Sequence, residues 1–174
     1  MGIQFETDYN METLTAMAKG LRKTVRKKRS RRVHIFAAVV LVFGILTILA
    51  TVAGGEPLGA SGVVTLLALL VVILVSLFED KLNAWFARKR LLPGTEHAVA
   101  TFEEDGYVSA TGVTESRFSY AQIVAVAETA RYFVFALSSH HTQAYDKRTI
   151  RGGSVEDFRA FIAEKTGKLV ENIK

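Results

Sequence analysis

Two long stretches interrupt the otherwise mixed alternation of hydrophobic and polar positions along the chain. From Val33 to Ala53 (VHIFAAVVLVFGILTILATVA) there is no Asp, Glu, Lys or Arg, and His34, at the edge, is the one titratable residue. From Ala60 to Phe78 (ASGVVTLLALLVVILVSLF) there is no titratable residue at all. At about 1.5 Å per residue each stretch approaches the ~30 Å depth of a hydrocarbon layer, so both are predicted to be transmembrane helices. A cleaved signal peptide would need a shorter apolar core nearer the start of the chain. A buried core hairpin would need far more surrounding apolar chain to cover helices that are apolar all round.

The turn between them, Gly54-Gly55-Glu56-Pro57-Leu58-Gly59, holds a proline that stops helical pairing and glycines that admit unusual backbone angles. Gly55 and Gly59 have GxxxG spacing, but Pro57 lies between them and turn chemistry explains them better.

Outside the two spans the periodicity changes twice. Upstream, Met11, Leu14, Ala18, Leu21 and Val25 recur at steps of three and four, a helical stripe that could cover a cytoplasmic domain, pair with a second copy or lie on the membrane surface. Downstream, Phe78, Leu82, Trp85 and Phe86 share one helical face, and Pro93-Gly94 ends that element, so residues 79–94 are predicted to form a juxtamembrane amphipathic helix.

From about Thr95 short alternating runs predict strands at Ala98–Phe102, Tyr107–Thr111, Ser116–Ser119, Ile123–Thr129, Tyr132–Leu137 and Thr142–Asp146. A helix from Ser154 to Thr166 follows, with Ser154 as N-cap, Asp157 at the box position and Gly167 after the last turn. Its apolar face, Phe158, Phe161 and Ile162, needs a sheet to pack on. The predicted fold is therefore a membrane α-helical hairpin plus a small α+β domain over residues 95–174. That domain is a split β-barrel or sheet with one C-terminal helix.

Charge sets the orientation. Lys19, Arg22, Lys23, Arg26, Lys27, Lys28, Arg29, Arg31 and Arg32 precede the first span, Lys81, Arg88, Lys89 and Arg90 follow the second, and the loop between has neither Lys nor Arg. The positive-inside rule then predicts two crossings with both termini in the cytoplasm. Arg26, Lys27, Lys28, Arg29, Arg31, Arg32, Arg88, Lys89 and Arg90 are read as anchors on anionic headgroups, each contributing roughly 1 kcal/mol near the surface. Trp85 is placed at headgroup level beside them. A nucleic-acid patch is the weaker reading of these cations, because they flank the spans. The mean hydropathy of +0.23 beside 22 Lys and Arg fits such segregation.

Chemistry is sparse. With no cysteine, disulfides, thiolate zinc sites and cysteine nucleophiles are excluded. His140 and His141 are adjacent and would point to opposite faces of a strand, which is poor geometry for one metal. Glu103-Glu104-Asp105 before Gly106 reads as a solvated hairpin tip, and no GxSxG, phosphate loop or HExxH is present. Neither metal, cofactor nor enzymatic activity is expected. The one candidate ligand site is an anion site made by Lys147, Arg148 and Arg151 at the start of the last helix, where backbone N–H groups lack helical partners.

Several motifs resemble the YcxB-like family of small bacterial two-span membrane proteins. They are Ser119-Tyr120-Ala121-Gln122-Ile123, Glu128-Thr129, Tyr132-Phe133, Ala144-Tyr145-Asp146-Lys147-Arg148 and Glu156-Asp157-Phe158-Arg159. Where many relatives carry a proline before the Lys-Arg pair, this chain has Asp146. The resemblance implies a bacterial plasma-membrane protein with a pleckstrin-homology-like (PH-like) cytoplasmic domain, without implying phosphoinositide binding. Such a fold usually has seven strands, and Ile3–Glu6 (IQFE) is expected to supply the seventh by docking on the C-terminal domain.

The expected function is a membrane-tethered module that binds a protein, peptide or lipid headgroup, or assembles with itself, with no nucleic acid involved. Self-protection against membrane-active peptides is one form, by analogy with related two-span proteins. The alternative is a small oligomeric transporter or channel subunit, against which stands the scarcity of polar groups in the spans: Thr47, Thr51, Ser61, Thr65 and Ser76.

Overall fold

The computed structural model describes residues 2–173. They form two compact units, one of Lys28–Leu82 and one made from the residues up to Lys27 together with those from Asn83 onward.

The helical unit holds α2 (Lys27–Ala53) and α3 (Ala60–Leu77), both long and apolar enough to cross a membrane. Helix α2 has no buried residue and α3 has one, Leu69, whose side chain lies against Gly44 of α2. The link between the helices turns through Gly55 in the left-handed region at φ 73°. At the other end His34 Nε2 is 3.7 Å from Glu79 Oε2, so the start of α2 and the end of α3 lie together. The hydroxyls of Thr47, Thr51 and Thr65 donate to the carbonyls of Phe43, Thr47 and Ser61, at 2.9, 3.1 and 2.9 Å, and are thereby satisfied by their own helices. Helix α4 (Glu79–Lys89) follows directly, shorter than the predicted 79–94 element. In it Trp85 and Phe86 are exposed and Lys89 Nζ sits 3.6 Å over the Trp85 ring.

The globular unit begins with β1 (Ile3–Asp8) and α1 (Met11–Lys23). It resumes within α4, at Asn83, and continues with β2 (His97–Phe102), β3 (Tyr107–Thr111), β4 (Glu115–Phe118), β5 (Ala125–Glu128), β6 (Tyr132–Ala136) and β7 (Thr142–Asp146). Helix α5 (Val155–Thr166) and a short β8 (Val170–Asn172) complete it. It is thus wider than residues 95–174, because it takes in the N-terminal strand and helix. One sheet has the order β1-β2-β3-β4 and the other β7-β6-β5-β8, with every pair antiparallel except β5 with β8.

The alternation in Ile3–Asp8 explains the docking of β1: Phe5 and Thr7 point inward, and Phe5 pairs with Ala100 of β2. The same strand closes the corner to the second sheet. Gln4 bridges Arg151, the Thr149 hydroxyl donates to Glu6 O at 2.7 Å, and Asp146 N donates to Thr7 Oγ1 at 3.1 Å. The N-terminal segment is thus the seventh antiparallel strand.

Strand β6 (YFVFA) is buried at every position because both of its faces are covered. Phe133 and Phe135 enter the core between the sheets with Phe5, Phe102, Tyr107 and Phe158 of α5. Tyr132 and Val134 face Ala16 and Met17 of α1. Of the three roles open to the α1 stripe, the structure shows the first: Leu14 and Leu21 are buried on the domain, while Val25 lies beyond the helix. Asn10 caps α1 by accepting from Glu12 N and Thr13 N. Helix α5 carries the predicted Ser154–Asp157 capping box and ends at Gly167 in the left-handed region.

Candidate functional site

The motif residues resolve into structural devices. Ser119 and Gln122 form a capping box around the 3-10 turn Tyr120–Gln122, and the Tyr120 hydroxyl is shared between Glu103 O at 2.6 Å and Gly106 O at 3.0 Å, tying down the β2–β3 hairpin. Ile123, the last residue of that motif, is buried in the main core.

Two buried carboxylates organise the remaining motif charges. Glu128, at the end of β5 and 5% exposed, receives Arg159 Nε at 2.7 Å, Arg159 Nη2 at 2.8 Å and Lys147 Nζ at 2.9 Å. It thereby fastens α5 and the turn after β7 to β5. The Arg159 hydrogen bond, helped by Lys147, holds the Glu128 carboxyl below the usual glutamate range even though burial opposes this. Asp146, also 5% exposed, receives Arg131 through Nε and Nη2 at 3.0 and 2.9 Å and Arg148 through Nε and Nη2 at 3.1 and 2.9 Å. Arg131 reaches on to Glu12 of α1. Asp146 also caps the 3-10 turn Lys147–Thr149 by accepting from Arg148 N at 3.0 Å, so a side-chain cap sets this turn.

The expected anion site divides among these partners. Lys147 is 13% exposed and committed to Glu128 and to Thr129 O, Arg148 to Asp146, and Arg151 Nη2 to Glu6 Oε1 at 3.1 Å. The first turn of α5 is served by Ser154 and Asp157. Of the expected anchors, Arg26 donates through Nε to Ser139 O at 2.6 Å within the globular unit. Lys27, Lys28, Arg29, Arg31, Arg32, Arg88, Lys89 and Arg90 are exposed, as is Trp85. His140 and His141 lie on the bend between β6 and β7, and no group of three metal-ligating side chains occurs among the described residues.

An open cleft of about 290 Å³ lies between the start of β7, strands β3 and β4, and α1. Hydroxyls of Ser109, Thr111 and Ser116 stand on one wall, and Leu14, Met17 and Phe118 supply apolar surface. Gln143 forms the polar floor. It is 7% exposed, and its Oε1 accepts from Tyr107 and from Tyr145, each at 2.7 Å. Burial raises both phenols and pushes that of Tyr9, at the rim, up to about 12, so all three stay protonated at neutral pH. No Asp, Glu, Lys or Arg lines the cleft.

Sequence reading passed over Gln143 because TQAYD registers simply as a strand. The available signal is its period-two partnership with Tyr145, which puts a glutamine on the inward face.

The comparison with protein families agrees with the motifs. Residues 102–162 match the family model of YcxB-like proteins, and that interval contains every motif residue from Ser119 to Arg159. No curated protein and no solved structure matches the chain. The stretch similar to that family, residues 102–162, builds both ionic hubs and most of the core around Phe158.

Proposed function

We propose that this chain is a non-enzymatic, membrane-anchored interaction module: two helices cross a bacterial plasma membrane, and a PH-like globular unit binds a partner on the cytoplasmic side. The observation that carries it is the apolar exposure of the helical unit. Phe36, Phe43 and Leu77 are 70, 67 and 72% exposed on helices with only Leu69 buried between them. Apolar surface of that extent is stable in lipid and not in water. The exposed cations on either side and their absence from the 54–59 loop support cytoplasmic termini.

The PH-like reading is supported by seven antiparallel strands folded into two sheets, with one helix packed into the core between them. The binding-module reading is supported by the cleft, together with ionic hubs that are spent on holding elements together. The threonine hydroxyls bonded within α2 and α3 leave little polar lining for a conduction path.

Alkaline carbonate extraction of membranes tests the anchoring: the chain is expected to stay in the pellet and to need detergent for release. Release by carbonate alone would refute it. Selective solute flux in proteoliposomes would favour a transporter instead.

A further inference from the structure

The first sheet has one covered edge and one open edge. On the β1 side Gln4 bridges Arg151, the Thr149 hydroxyl donates to Glu6 O, and Asp146 N donates to Thr7 Oγ1. On the other side β4 (ESRF) ends the sheet, with Glu115, Ser116 and Arg117 exposed. Its ladder to β3 runs without a bulge from Tyr107↔Phe118 to Ala110↔Glu115, and Thr111 N donates to Thr114 O at 2.7 Å just beyond it. Bonded and non-bonded pairs alternate along an antiparallel ladder, so Thr114, Ser116 and Phe118 turn their main chain toward β3. Glu115 and Arg117 turn their N–H and C=O outward, where no described residue bonds to them. Their side chains likewise enter no ion pair or hydrogen bond among the described residues.

Sheet edges are commonly guarded by a proline, a bulge or charge that repels a second strand. Strand β4 has neither proline nor bulge, and its two charges are of opposite sign on either side of a serine. That pattern is complementary to itself. A two-fold axis that pairs two copies of β4 antiparallel must set outward-facing residues opposite one another if the main chains are to bond. An axis at Glu115 or at Arg117 puts like charges face to face, which is destabilising. An axis at Ser116 sets Glu115 of each copy opposite Arg117 of the other, and every outward N–H and C=O of these residues then finds a partner. We infer that β4 is a self-association edge at which two copies of this chain join, antiparallel about Ser116, into one continuous sheet. A second copy at this edge goes beyond the interaction-module reading and does not depend on which partner that module takes.

In this register the two Ser116 residues form a directly opposite, non-bonded pair with Cα atoms about 4.5 Å apart, within reach of a disulfide. The chain has no cysteine, so Ser116→Cys introduces a single thiol. The full chain carrying it, in membranes of the expressing cells treated with copper phenanthroline as oxidant, is expected to form a disulfide-linked dimer on non-reducing gels. Val113→Cys, 59% exposed in the turn before β4 and far from its counterpart in this register, is expected to stay monomeric under the same oxidation. Adding Glu115→Arg to Ser116→Cys sets arginines opposite each other and is expected to slow dimer formation roughly tenfold. Adding Arg117→Glu as well recreates opposite pairs and is expected to return the rate to that of Ser116→Cys. No dimer from Ser116→Cys, equal dimer from Val113→Cys, a rate indifferent to Glu115→Arg, or no recovery in the double exchange would overturn the proposal. So would a mixed disulfide with a different protein in place of the dimer, which would make β4 the docking edge for a foreign strand.

Discussion

The ring of Phe5 meets that of Phe158 edge to face with centroids 4.6 Å apart, which joins the first strand of the chain to its last helix across the helical hairpin that separates them in sequence. Phe5 is fully buried and also meets Phe102, Phe133 and Tyr145. Truncating it opens a cavity among rings that cannot collapse together. Phe5→Ala is expected to lower stability by about 3–5 kcal/mol, read from denaturant unfolding in detergent by near-UV circular dichroism. Deleting residues 1–10 should cost more, and an unchanged unfolding midpoint in either variant would mean that β1 is dispensable.

Gly20 of α1 lies so close to β6 that a Cβ added there would come within 2.7 Å of Val134 Cγ1. On an exposed helix face Gly→Ala stabilises by roughly 0.5–1 kcal/mol, so the sign of the effect discriminates. Overpacking against a stiff β-branched side chain predominates here, and Gly20→Ala is expected to destabilise by about 1–3 kcal/mol. The double variant with Val134→Ala should recover part of that loss. Stabilisation by the single change would show that α1 does not dock on β6.

Acid stability should depend on Glu128. Its folded pKa lies below the ordinary glutamate value of 4.5, chiefly through Arg159, so the folded state binds fewer protons than the unfolded chain in the window between the two values. Its contribution is therefore full above the ordinary value and is lost as pH falls through the depressed one. Glu128→Gln is expected to be less stable than wild type at neutral pH and to show a shallower decline on acidification. Parallel acid profiles for the two proteins would show that the pair does not control this limb.

Much of this architecture is legible in the sequence where one local signal suffices. Strands at Tyr107–Thr111 and Thr142–Asp146 fall where alternation places them, and α5 starts at its Ser154–Asp157 box. Strand β8 was not legible, because three residues after Gly167 show no period and its parallel pairing with β5 is a tertiary event. The basic cluster at Lys147, Arg148 and Arg151 was legible as charge but not as structure. The carboxylates that neutralise Lys147 and Arg151, Glu128 and Glu6, come from other strands, and Asp146 beside the cluster reads only as the end of a strand until Arg131 closes on it. The buried pairing of Gln143 Oε1 with two phenols depends on positions that only the closed fold defines.

The central claim is that the hairpin places the 54–59 loop and the globular unit on opposite sides of a membrane. Because the chain has no cysteine, Glu56→Cys and Lys168→Cys, both at exposed positions, each introduce a single thiol. The decisive measurement is labelling of the two variants in intact bacterial cells with a membrane-impermeant maleimide, before and after permeabilisation. The expected result is labelling of Glu56→Cys in intact cells and of Lys168→Cys only after permeabilisation. Labelling of Lys168→Cys in intact cells, or of both thiols only after permeabilisation, would contradict the account.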